Sequence, residues 1–256
     1  MIAEKGEGDS VGRLWNSGEQ SLERTPRRFP DWAPDVYESF EGKLLDTAHS
    51  YPCYFGTQGQ QRGHNWFTVV DPRFPEEHGV PALADALKEF RERARTGPKR
   101  QSLIVFVGPP DPEAQLADHQ TAFWTLLRDL SAIDTSPWPP GYPADTGDPA
   151  WQWCFAGSPW FTFMTSPGYR DRRSRDLGPC LTIVLQTRRV FEGLSGSTVA
   201  GQAAKRRIRE DLERYDALAP HPYLGDPMFS STHKWRQYAL PDDQTVGTPE
   251  KCPFVN

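Results

Sequence analysis

Hydrophobic positions along this chain change period several times, and each change marks an element. Between Trp32 and Ala48 the apolar residues Val36, Phe40, Leu44, Leu45 and Ala48 recur at helical spacing. That predicts a helix leading into the turn Tyr51-Pro52-Cys53. Asn65 to Val70 (NWFTVV) reads as a strand, closed by Asp71-Pro72. Pro81 to Arg95 is an amphipathic helix with Leu83, Leu87, Phe90 and Ala94 on one face. Pro81 sits in its first turn, where a missing N–H costs nothing, and Gly97-Pro98 stops it. Ser102 to Val107 (SLIVFV) is a buried strand, and Pro112 to Ile133 is a second long helix with Phe123, Leu126, Leu127 and Leu130 inward.

Further on, Trp151 to Ala156 and Trp160 to Met164 form a hairpin about Gly157-Ser158-Pro159. Cys180 to Leu185 is another strand, and Ala203 to Tyr215 is a charged helix with a thin seam of Ile208, Leu212 and Tyr215. No linker interrupts the series. The fold class predicted is α+β: a single domain with a central, mainly antiparallel sheet flanked by helices. Two stretches lack a clear period. Residues 1–30 read as a mobile or surface-hugging N-terminal arm, which leaves 31–256 as the domain. The last forty residues read as a long irregular C-terminal segment.

Composition narrows the class. Twenty-five prolines and nine tryptophans predict irregular connections around an aromatic interior, because Trp is usually buried with its N–H paired or lines a pocket. A net charge of -5 lacks the basic footprint that nucleic-acid binding needs. No apolar run approaches a membrane span, and residues 1–30 lack the apolar stretch of a secretion signal, so a cytoplasmic location is the default. Cys53, Cys154, Cys180 and Cys252 form no CxxC pair, and Cys154 and Cys180 read as inert buried thiols.

The familiar dinucleotide, P-loop, serine-hydrolase and zincin motifs are absent. GTQGQQRG at 56–63 is glycine-spaced, but no strand leads into it, so a mobile loop is expected. Among the six histidines, His78 and His119 read as solvent-facing, and His49 ends a helix. His64, His221 and His233 stand where irregular backbone meets aromatics, a setting that suits either a ligand site or a hydrogen-bonded structural histidine. Arg170, Arg172, Arg173 and Arg175 crowd one loop with Asp171 and Asp176. Such a cluster is either a clamp for carboxylates or phosphates, or a solvated loop. Cys53 beside a histidine could form a cofactor-free reactive centre, and Cys252-Pro253 is a dipeptide seen where thiolate meets haem iron.

Seven motifs occur in order: YPCYFG from Tyr51, FWTLLRDLSAID from Phe123, WQWCFAGSPWF from Trp151, RDRRSR from Arg170, HPYLGD from His221, WRQYALPDD from Trp235, and the terminal CPF. Together they resemble the YqcI/YcgG family over nearly the whole chain from about residue 30. That family includes haem-dependent N-oxygenases of natural-product pathways. The resemblance implies a haem-dependent monooxygenase that uses O2 or peroxide to hydroxylate a nitrogen of a guanidine- or amine-containing small molecule, arginine or a derivative among them. An electron donor not named by the sequence is required, and a homodimer is left open. The cofactor implied is haem b, with His221 as the iron ligand and Cys53, His64, His233 and Cys252 as alternatives. Arg170, Arg172, Arg173 and Arg175 would take the propionates, with Trp235 among the aromatic walls. Asp226, Asp242 and Asp243 would face a guanidinium substrate. The competing implication is a non-catalytic haem carrier or sensor.

Overall fold

The computed structural model describes residues 14–18, 29–194, 198–224 and 233–255. Its six strands are β1 (Trp15–Asn16), β2 (Trp66–Val70), β3 (Leu103–Val107), β4 (Cys154–Phe155), β5 (Ser158–Thr165) and β6 (Leu181–Thr187). They lie in the order β1-β2-β3-β6-β5-β4, with only β2 and β3 parallel. The helices are α1 (Ala33–Leu44), α2 (Tyr54–Gln61), α3 (Pro75–His78), α4 (Val80–Thr96), α5 (Leu116–Ile133) and α6 (Val199–Tyr215). The fold is α+β and forms one domain.

Alternation along the strands divides two cores. Leu103 and Val105 of β3 face α4 and α5, while Ile104 and Phe106 face α1 and Trp15. Helix α4 supplies the crossover that the parallel β2–β3 pair requires. Register then places Ile104, Val184 and Phe163 in one row across β3, β6 and β5, on the α1 side. Phe161 and Phe163 are only half-buried there, although Thr162 and Met164 on the opposite face are fully buried. The β5 end of this face is therefore the part of the sheet left open for a site.

Several expectations need correction. Of the N-terminal arm, Trp15–Asn16 lies against the domain: it pairs with β2, and the Trp15 indole stacks 5.2 Å from the Phe67 ring. The GTQGQQRG stretch belongs largely to helix α2 rather than to a loop. Its low helix propensity is offset by Asn65, whose Nδ2 donates to the Gly56 and Gln60 oxygens while its Oδ1 accepts from Ser102 N. The hairpin turns one residue earlier than the proline suggested: Ala156 (φ 52) and Gly157 (φ 69) are the two central residues, and Pro159 lies in β5. Both positive φ values match the turn that follows strand twist.

Helix α6 begins four residues before Ala203, where the Thr198 hydroxyl caps Gly201 N. The C-terminal segment is not irregular throughout. It contains a 3-10 turn at Lys234–Gln237 and buries Trp235, Tyr238, Leu240 and Cys252.

Candidate functional site

The arginine-rich loop follows β5, and its backbone is clamped from three sides. Asp242 receives the N–H groups of Arg170, Asp171 and Arg172 at 2.7, 3.2 and 2.8 Å, so three successive amides cradle one carboxylate. Asp216, buried, accepts from both the N–H and the hydroxyl of Ser174 at 2.7 and 2.8 Å. Burial nevertheless pushes its pKa upward, against those bonds and the nearby Arg172 and Arg175. The Tyr51 hydroxyl, from the YPC turn, donates to the Ser174 carbonyl at 2.7 Å.

The four guanidinium groups diverge. Arg172 is 1% exposed and donates to the Pro241 and Asp243 carbonyls. Its Nη1 is buried with no partner among the described residues. Arg175, also buried, donates to the Met164 and Gln237 carbonyls and lies 4.6 Å from the Phe163 ring centre. Arg170 and Arg173 are exposed. The carboxylate gathered by this loop is thus Asp242 of the chain itself, and backbone amides rather than guanidinium groups hold it.

His221 is fully buried. Its Nδ1 accepts from Tyr223 N–H at 3.2 Å, which leaves Nε2 to donate to the Thr245 carbonyl at 3.1 Å. Burial lowers its pKa to about 4, opposed by the Thr245 bond and assisted by Arg172 and Arg175. Both ring nitrogens are therefore spent within the chain. His233 Nε2 lies 2.8 Å from the Gly147 carbonyl, and Cys252 is buried with its thiol pushed up to about 11. His64 lines a separate open cleft with Asn16, Trp66 and Arg93. His119, expected in solvent, is 8% exposed, with Nδ1 2.6 Å from the Ser166 hydroxyl. Its position on α5 faces the loop after β5, a tertiary contact invisible to helical periodicity.

Cys53 precedes the first turn of α2, and burial raises its thiol pKa despite the adjacent Phe55 and Gly56 N–H groups. It faces a cavity of about 30 Å³ walled by Phe40, Leu44, Tyr51, Phe163 and Val184. That volume suits roughly one water molecule and is far too small for a macrocycle. Asp243 is exposed and accepts from Thr245 N at 2.8 Å. Trp235 packs in the core beside Trp124, and Asp226 lies outside the described residues.

Two larger clefts open nearby. One, of about 700 Å³, is lined by Phe161, Phe191, Tyr238, Arg188, Lys205 and Lys234 among others. The other, of about 630 Å³, is lined by Asp46, His49, Arg173, Arg207, Asp211 and Tyr215 among others. Apart from Arg173 and His49 in the second, neither set stood out in the sequence. The only signal for the first was a basic and aromatic run, TRRVF, closing β6.

Among the described residues, those that the resemblance implies for a haem do not converge on one site: His221 is buried with both nitrogens bonded, and the four arginines diverge. The first cleft has aromatic walls and cations, but no His or Cys lines it. Among the described residues, no group of three or more His, Cys, Asp or Glu side chains is placed to hold a metal ion. No described helix is long and apolar enough to cross a membrane.

A one-domain α+β chain with two polar clefts, one beside β5 and one between the arginine-rich loop and α6, is the class that the structure defines. Residues 40–255 match the YqcI/YcgG family, and the chain belongs to it. It is 35% identical over 237 residues to "Uncharacterized protein YcgG" of Bacillus subtilis (strain 168), covering 91% of this chain and 92% of that one. It is 32% identical to "Uncharacterized protein YqcI" of the same organism, over 91% and 92% of the two chains. A third relative, "Putative N(omega)-hydroxy-L-arginine synthase DcsA" of Streptomyces lavendulae, is 29% identical, over 88% of this chain and 84% of its own. No solved structure matches.

Proposed function

We propose that this protein is an oxidoreductase that hydroxylates a nitrogen of a guanidine- or amine-containing small molecule. The observation that carries the reading is the match to the relative named as an N(omega)-hydroxy-L-arginine synthase, which spans most of both chains. The reaction balances as one N–H converted to N–OH, with O2 as oxidant, two electrons and two protons supplied by a donor, and water as the second product.

The cleft bordered by Asp46, Asp211 and Arg173 supports a zwitterionic substrate such as an amino acid with a cationic side chain. It offers carboxylates for the cation and, in Arg173, an exposed guanidinium for a carboxylate. Asp211 already pairs with Arg207 and Arg214, and Asp46 Oδ1 accepts the Ala48 and His49 N–H groups while Oδ2 lies 3.3 Å from His49 Nδ1, so a substrate cation would share Asp46 with His49. Haem belongs to the same proposal as the O2-activating group. His221 could bind iron only if the Thr245 contact broke, and no step is derived through the cofactor.

Two measurements test the reading. Purified protein incubated with haemin is scanned for a Soret band. It is then supplied with O2, a reductant and a panel of arginine, other guanidines and primary amines, and products are examined by mass for one added oxygen. A Soret band with an oxygenated product is expected. No product from any member of the panel, with haem bound or with iron alone, would overturn the proposal.

A further inference from the structure

The small cavity beside Cys53 lies between the sheet and helices α1 and α2, where the row of Ile104, Val184 and Phe163 meets Phe40 and Leu44. Its volume of about 30 Å³ would admit a water molecule, but a buried water needs several polar partners. The polar groups on its wall are already committed. Asn65 Nδ2 donates to the Gly56 carbonyl and to Gln60 Oε1, and its Oδ1 accepts from Ser102 N. Gln186 Nε2 donates to the Ser102 hydroxyl at 2.8 Å, and the Tyr51 hydroxyl donates to the Ser174 carbonyl. None of the lining side chains holds a buried nitrogen or oxygen without a partner. Cys53 adds only a thiol, a weak donor and a weak acceptor. The rest of the wall is aliphatic or aromatic, so the space is dry and suits an apolar occupant.

We propose that this cavity holds a small apolar gas, dioxygen being the one that the reaction proposed above consumes. The choice of gas rests on that reading; the dryness of the cavity does not. Dioxygen is little larger than water, does not need hydrogen bonds and favours apolar surroundings over water. Phe163 stands between the cavity and solvent, since it lines the space yet is only half-buried at the open β5 end of the sheet. Gas entry therefore requires the movement of one side chain.

Position 56 offers a way to fill the space. A Cβ there would meet Cys53 Sγ at 3.5 Å and Leu44 Cδ1 at 3.7 Å, ordinary contact distances, and both residues line the cavity. Alanine also suits a helix better than glycine does, so Gly56→Ala occupies the cavity without endangering α2. Gly42→Ala on α1 makes the same exchange where nothing lies within 4 Å, and it serves as the control.

The full chain, labelled at its methyl groups, is placed under dissolved O2 and then under N2 at equal pressure, without haem, iron or amine. The paramagnetic relaxation that O2 adds is compared between two sets of methyl signals. Leu44, Ile104 and Leu177 line the cavity, and Leu83 and Ile183 are as deeply buried in the other core. A severalfold larger enhancement is expected in the cavity set, falling to the level of the other core in Gly56→Ala and unchanged in Gly42→Ala. Three results would each overturn the proposal: equal enhancement in the two sets, an enhancement untouched by Gly56→Ala, or nuclear Overhauser transfer from a bound water to the cavity methyls. No turnover is read, so any of these leaves the N-hydroxylation reading standing. A positive O2 signal in a protein that oxygenates no amine or guanidine would strike that reading alone.

Discussion

Replacing His221 with glutamine should flatten the acid side of this protein's stability curve. In the native chain the imidazole is buried and neutral, with both nitrogens engaged, and its pKa falls to about 4. In the unfolded chain it returns to about 6.5. Between those values the unfolded state binds more protons than the native one, so stability rises with pH and is lost on acidification. Integrated from pH 7 to pH 5, that difference is about 2 kcal/mol.

Glutamine is neutral throughout this range and carries a donor for the Thr245 carbonyl and an acceptor for Tyr223 N–H. Urea unfolding at pH 7 and pH 5, followed by tryptophan fluorescence, measures both proteins. The wild type should lose about 2 kcal/mol more than His221→Gln over that interval, whatever the two absolute stabilities. Burial also lowers the His119 pKa, but that group is common to both proteins and cancels in the difference. Equal losses would refute the reasoning and would mean that His221 is not held as a buried neutral imidazole.

Two further substitutions probe the framework of the site. A Cβ at position 59 would sit 2.6 Å from Asn65 Oδ1, so Gly59→Ala should lower stability by about 1–3 kcal/mol in urea unfolding as Asn65 is displaced. Asp216→Ala strips both partners from the buried Ser174 and should cost about 2–4 kcal/mol. Limited proteolysis of that variant should cut first near residues 170–176, and cleavage elsewhere would count against the clamp.

Much of the architecture was determined by the sequence alone. The 3.6 period over α1, α4 and α5 and the apolar runs of β2, β3 and β6 are local signals, because one buried face imposes each pattern. The ordered motifs from YPCYFG to CPF likewise pointed to the family by themselves. Helix α2 and strand β1 escaped, since the first depends on Asn65 packing against Gly59 and the second on pairing with β2. The roles of the polar residues depended on partners far away in the chain. Asp242 looked like a substrate carboxylate, yet its oxygens meet amides about seventy residues earlier. His221 looked free to bind iron until Thr245 and Tyr223 were placed beside it. The cleft beside β5 is assembled from residues 161, 188, 205 and 234, too far apart for any local pattern to join. Periodicity reports which face of an element is buried. What a polar atom on that face meets is decided only when distant segments pack together.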